Sequence, residues 1–143
     1  MGPLRLSALD QTDLEIISAS MQDAIIKPQD LRYLKARRKF VLLANRFVWE
    51  AVHSGNRQPY QRRRCGLQFA RVLEVKSALA QNAPVLSLLS IGFETGDPPS
   101  GTIVLTFAAG STIRLGIECI EAQLDDLGPT WEALHQPIHD LPA

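Results

Sequence analysis

A chain of 143 residues is long enough for one domain with a self-sufficient core, so neither a metal nor a disulfide is required to hold it together. With 45% apolar and 21% charged residues and no excess of Gly or Pro, the composition excludes disordered, collagen-like and disulfide-scaffold classes. The net charge of zero argues against a dedicated nucleic-acid-coating protein, which would be basic overall.

The charge is nevertheless unevenly placed. Between Lys27 and Lys76 thirteen basic residues face only Asp30, Glu50 and Glu74, a surplus of +10, whereas the flanks set Arg5 and Arg114 against twelve acids, a deficit of −10. No run reaches the roughly 18 apolar residues of a membrane-spanning helix; the nearest, Pro84 to Phe93, is broken by Ser87 and Ser90. Met1 to Leu9 has no apolar core or cleavage site of an export signal, so a cytoplasmic location is expected, with Cys65 and Cys119 reduced. The reading is one domain over residues 1–143, with 135–143 as a surface tail carrying Pro137 and Pro142.

In chain order, Leu4, Leu6 and Ala8 alternate with Arg5 and Ser7 as a short strand, and Asp10 is placed to cap a helix whose apolar stripe is Leu14, Ile17 and Met21. Ala24–Lys27 and Leu31–Leu34 read as a hairpin around Pro28, Gln29 and Asp30. Lys39–Trp49 reads as a long strand in which Phe40 and Phe47 face opposite sides unless a bulge near Asn45 resets the register. Glu50–Gln61, with Gly55, Asn56 and Pro59, is expected to be the longest loop.

Arg62–Lys76 then reads as a strand bent near Ala70, and Val85–Glu94 as a buried strand turned at Gly96–Gly101. Ile103, Leu105 and Phe107, followed by Ile113, Leu115 and Ile117 across Ala109 and Gly110, form the clearest hairpin. Ile120, Leu124 and Leu127, followed by Gly128 and Pro129, suggest a short C-terminal helix. Short turns between consecutive strands favour antiparallel pairing. The expected class is therefore α+β and strand-rich: an antiparallel sandwich or partly closed barrel of seven to eight strands with one helix near each end. A pleckstrin-homology-like topology is one arrangement that fits.

Leu4-Arg5-Leu6, Asp13-Leu14, Met21-Gln22-Asp23-Ala24 and Asn45-Arg46-Phe47-Val48-Trp49-Glu50 resemble a small bacterial family, domain of unknown function 2948. Ile113-Arg114-Leu115, Glu118-Cys119-Ile120-Glu121-Ala122, Asp126-Leu127-Gly128-Pro129 and Pro137-Ile138-His139-Asp140 extend the likeness over nearly the whole chain. The resemblance implies a bacterial cytoplasmic protein and supplies no reaction, cofactor or catalytic residue.

Two basic clusters, Arg37-Arg38-Lys39 at a turn and Arg62-Arg63-Arg64 entering a strand, would make a cationic face if they converge, with Trp49, Tyr33 or Tyr60 available to stack on bases. The plainer alternative is that these cations neutralise the acidic flanks within the fold. Arg46 and Trp49 are an anchor pair of the kind found at protein interfaces, with Arg46 expected at the surface and Trp49 equally suited to the core.

His135 and His139 with Cys65 or Cys119 offer metal-ligand types, but Pro137 breaks the helical spacing they would need and no Cys-x-x-Cys is present. Glu118 with Glu121, and Asp125 with Asp126, read as solvated helix acids, and His53 as a loop residue. No nucleophile elbow, phosphate loop, dinucleotide fingerprint or zinc-protease motif occurs, so no catalytic residue, metal or cofactor is assigned. The functional expectation is a non-enzymatic module that meets a protein partner or a second copy of itself, with weak binding of nucleic acid or another polyanion through a basic face as the first alternative, an enzyme of unidentified type as the second, and no membrane role.

Overall fold

Asp10 shows how local chemistry sets the first elements in the computed structural model, which describes residues 2–50 and 61–132. Strand β1 (Arg5–Ala8) stops just before it, and its Oδ1 accepts a 2.8 Å hydrogen bond from the Asp13 amide, capping helix α1 (Gln11–Met21). Leu14, Ile17 and Met21 are the helix's buried stripe, each contributing about 1.5–3 kcal/mol by leaving water. The Ser18 hydroxyl accepts from the Ile91 amide at 2.9 Å and fixes the helix on the sheet.

The strands that follow are β2 (Ile25–Ile26), β3 (Leu31–Leu34), β4 (Lys39–Phe47), β5 (Gln61–Phe69), β6 (Val72–Ala78), β7 (Leu86–Thr95), β8 (Gly101–Phe107), β9 (Thr112–Ile117) and β10 (Ala122–Glu132). They form one ten-stranded sheet in the order β1-β10-β5-β4-β2-β7-β8-β9-β6, with β3 beside β4, and every pairing is antiparallel. Two-residue β2 joins the halves, pairing Ile25 with Asn45 of β4 and with Ser87 of β7.

Strand β6 follows β5 after a corner at Ala70–Arg71, yet stands at the far end of the sheet, so the sheet folds over itself like a sandwich without closing into a barrel. Phe40, Leu42, Leu67 and Phe69 from one half and Ile103, Leu105, Ile113 and Leu115 from the other fill the space between. At the fold-over, the Val72 amide donates to the Arg38 carbonyl at 2.8 Å and the Tyr33 hydroxyl donates to the Val72 carbonyl at 2.9 Å.

The antiparallel α+β architecture, the N-terminal helix, the bend at Ala70 and the β8–β9 hairpin agree with the sequence reading, and the strand number is higher. Two expectations are corrected. Ala122–Glu132 is a strand rather than a helix: Ile120, Ala122 and Leu124 alternate inward, and β10 supplies the backbone partners that the free side of β5 needs. A helix here is what the pleckstrin-homology-like arrangement required, so that topology goes with it. Strands β2 and β3 are not a hairpin; both lie along the same side of β4, one after the other. The long loop, apart from its end residues, and the tail at 135–143 lie outside the described residues.

Candidate interaction surface

Strand alternation decides where the predicted cations go. Arg62, Arg63 and Arg64 stand opposite Phe47, Arg46 and Asn45, so Arg63 shares the inner face with Arg46 while Arg62 and Arg64 point outward. Arg64 and Lys39 are separated by six residues of β4, about 20 Å at strand rise, so the two basic clusters lie at opposite ends of the strand rather than on one patch.

Arg46, expected at the surface, is fully buried in an ion cluster. Its Nε and Nη2 donate to the Asp126 carboxylate at 2.7 and 2.8 Å, and its Nη1 and Nη2 donate to Glu50 at 2.9 and 2.6 Å. Asp126, whose side chain is 0% exposed, also accepts from the Leu4 amide at 2.7 Å and from Arg63 Nη1 at 3.4 Å. The site is inward because Arg46 continues the parity of Phe40, Leu42 and Ala44.

Burial works against each charge in the cluster, and hydrogen bonding outweighs it. The pairing with Asp126 and Glu50 raises the Arg46 pKa, and the Arg46 guanidinium holds Glu50 and Asp126 below their ordinary values. Nearby, burial pushes the Cys65 thiol up to about 12, and its Sγ lies 3.7 Å from Met21 Sδ. These are strongly paired structural charges, and Arg46 binds the end of β4 to β10 and, through Asp126, to the start of β1.

The remaining candidates divide in the same way. Arg38 pairs with Glu118 at 2.7 Å, while Arg71 pairs with Glu121 at 3.3 Å and with Glu118 at 3.7 Å. The supposed helix acids are thus counter-ions on the loop and strand edge before β10. Asp125, opposite in parity to Asp126, meets Arg5 at 3.0 Å. Arg62 donates to the carbonyls of Asp23 and Asn45 and lies 5.8 Å from the Phe47 ring centroid; burial lowers its pKa against the pull of Asp23. Arg64 reaches Asp30 at 3.5 Å.

Phe40 and Phe47 do face opposite sides, with no register shift in β4. Phe47 is buried on the outer face against Trp49, whose ring centroid is 4.5 Å away and whose Nε1 donates to the Gln22 carbonyl at 2.7 Å.

A second group of cations is left over. Arg32, Lys35, Arg37 and Lys39 enter no ion pair among the described residues. They lie on β3, its 3-10 turn Lys35–Arg37 and the first residue of β4, and all but half-buried Lys39 are exposed. Arg38, in the same turn, keeps a left-handed φ of 53° that aims its carbonyl at Val72. The sequence reading singled out Arg37–Lys39 but missed Arg32 and Lys35, whose signal was the density of cations around a tight turn.

An apolar cleft of about 320 Å³ is lined by Leu4, Leu6, Ile16, Ala19 and Trp49, together with Glu50, whose oxygens are both engaged by Arg46. Among the described residues no three His, Cys, Asp or Glu side chains gather as metal ligands; His53, His135 and His139 lie outside those residues. No helix among them is long and apolar enough to cross a membrane.

Fold and site together define a strand-rich, antiparallel α+β sandwich in which a buried arginine–carboxylate cluster ties β4, β10 and the start of β1 within one half, and which carries a basic hairpin. A family model described as Protein of unknown function (DUF2948) matches residues 4–139, and the chain belongs to that family. No curated protein and no solved structure matches it.

Proposed function

We propose that this bacterial, cytoplasmic chain is a non-enzymatic protein-interaction module that docks the β3–β4 hairpin onto an acidic protein surface. The observation that carries the reading is the sorting of the basic segment. Arg46, Arg63, Arg38 and Arg71 are spent on Asp126, Glu118 and Glu121, whereas Arg32, Lys35, Arg37 and Lys39, grouped around one turn, have no ion-pair partner among the described residues. Unpaired rim cations govern encounter rate and partner choice. Arg46 and Trp49 serve this surface indirectly, by holding the far end of β4.

The same hairpin favours a second reading, polyanion binding, because a cation cluster attracts phosphates as well as carboxylates. Anisotropy titration of labelled polyglutamate and of single-stranded RNA at low and moderate salt separates the two. The protein reading expects polyglutamate binding that disappears in an Arg32→Glu, Lys35→Glu, Arg37→Glu variant and persists in Arg64→Glu. RNA binding with a log–log salt slope of about −0.7 per phosphate contacted would move the assignment to nucleic acid. Binding of neither probe would refute both.

A further inference from the structure

Strand β6 stands at one end of the sheet, as β1 does at the other. Among the described residues it pairs with β9 alone, and only its first residue, Val72, is otherwise engaged, by Arg38 and Tyr33. From Leu73 to Ala78 no further strand of the described residues lies alongside, and the side chains of Leu73, Glu74, Lys76, Ser77 and Ala78 are all exposed, Leu73 to 50%. An unpaired edge of this kind is a template for another strand, and proteins usually block it with charge.

Here the charges are of opposite sign and two residues apart. Glu74 and Lys76 stand on the outer face, opposite Gly116 and Arg114, while Val75 between them faces the core opposite Leu115. Within one chain they are poorly matched. Lys76 Nζ is 3.9 Å from Glu74 Oε1, both side chains are largely in water, and the cross-strand neighbour of Lys76 is Arg114, a like charge whose carboxylate partner is Glu94.

We infer that β6 pairs with β6 of a second copy of this chain, antiparallel and about a two-fold axis through Val75, extending the sheet across a homodimer. In that register Glu74 faces Lys76 of the second copy, Lys76 faces its Glu74, and Leu73 faces Ser77. The symmetry makes each favourable pair occur twice. A slip of one residue would put the charged side chains opposite inward-facing ones. A slip of two would set Glu74 against Glu74 or Lys76 against Lys76, and parallel pairing would oppose like charges at both positions. The strand is therefore complementary to itself in one register only, and a carboxylate arriving beside Lys76 gives it a directly opposed partner in place of the long contact with Glu74. The start of β6 adjoins the hairpin through Val72, but Glu74 and Lys76 are not among its unpaired cations Arg32, Lys35, Arg37 and Lys39, so variants at these two positions test the dimer separately from the docking surface.

Sedimentation equilibrium at low salt tests the inference on the full chain. The wild type is expected at about twice the 15.8 kDa chain mass at micromolar concentration. Glu74→Lys and Lys76→Glu should each weaken the dimer by roughly tenfold or more, because two attractive pairs become repulsive. An equimolar mixture of the two variants should dimerise again, as should the double exchange, since both restore opposite-charge pairs. Circular dichroism confirms that each variant is folded, which its exposed position favours. A monomeric wild type, single variants that dimerise normally, or a mixture that stays monomeric would each overturn the proposal.

Discussion

Replacing Arg46 with Leu removes the centre of the buried cluster and leaves its carboxylates behind. Asp126 would keep the Leu4 amide at 2.7 Å and the long Arg63 contact at 3.4 Å, with its side chain still at 0% exposure. Glu50, whose side chain is 22% exposed, can turn toward water, so most of the penalty falls on Asp126. Breaking a buried pair on one side costs about 3–5 kcal/mol, which for a chain of this length lowers Tm by roughly 10 °C or more. Removing the stranded carboxylate as well, in Arg46→Leu with Asp126→Leu, should recover about half of that loss. Arg46→Lys should fall between, since one ammonium cannot engage two carboxylates in bidentate fashion. Urea unfolding followed by circular dichroism gives all three values, and Asp126→Leu alone completes the cycle that yields the coupling energy. A loss below about 1 kcal/mol for Arg46→Leu would mean that the cluster does not hold β4, β10 and β1 together.

Three further outcomes follow from named contacts. Because Glu50 and Asp126 have folded pKa values below their ordinary 4.5 and 3.8, the stability they contribute is complete above those values and lost as pH falls through the lower folded ones; urea midpoints should hold from pH 7 to about 5 and decline below, and a flat profile to pH 3 would contradict the pairing. Gly101→Ala should destabilise the β7–β8 pair by about 1–3 kcal/mol, since a Cβ there would sit 2.6 Å from Phe93 Cζ and against the Glu94 carbonyl; an unchanged Tm would show that the ring moves aside freely. Of the two thiols, half-buried Cys119 should react with an aromatic disulfide reagent at pH 8, whereas Cys65, buried and with its pKa near 12, should react only after unfolding; two fast-reacting equivalents in the native protein would refute this.

What the sequence made legible was local. Ile103-Leu105-Phe107 and Ile113-Leu115-Ile117 alternate without ambiguity, and the structure buries all six. The segment after Cys119 was misread because Ile120 and Leu124 satisfy a period of two as well as a spacing of four. Half-exposed Leu127 then completed a false helical stripe. Pairings that depend on strand order were illegible: Arg46 and Asp126 are 80 positions apart and meet because β5, lying between β4 and β10, brings their inner faces into line. The run Arg62-Arg63-Arg64 looked like one cluster, yet in a strand successive residues must part, and that alternation was available from sequence alone. The two residues of β2 are too few to carry any pattern, although they join the halves of the sheet.

The most direct measurement of the docking claim is a backbone amide NMR titration with unlabelled polyglutamate at low salt. Shifts confined to residues 31–40, with the largest at the Lys35–Arg37 turn, are the predicted result. Shifts centred instead on residues 61–64, or none at all at saturating probe, would show that the unpaired cations of the hairpin are not the surface this protein presents to an acidic partner.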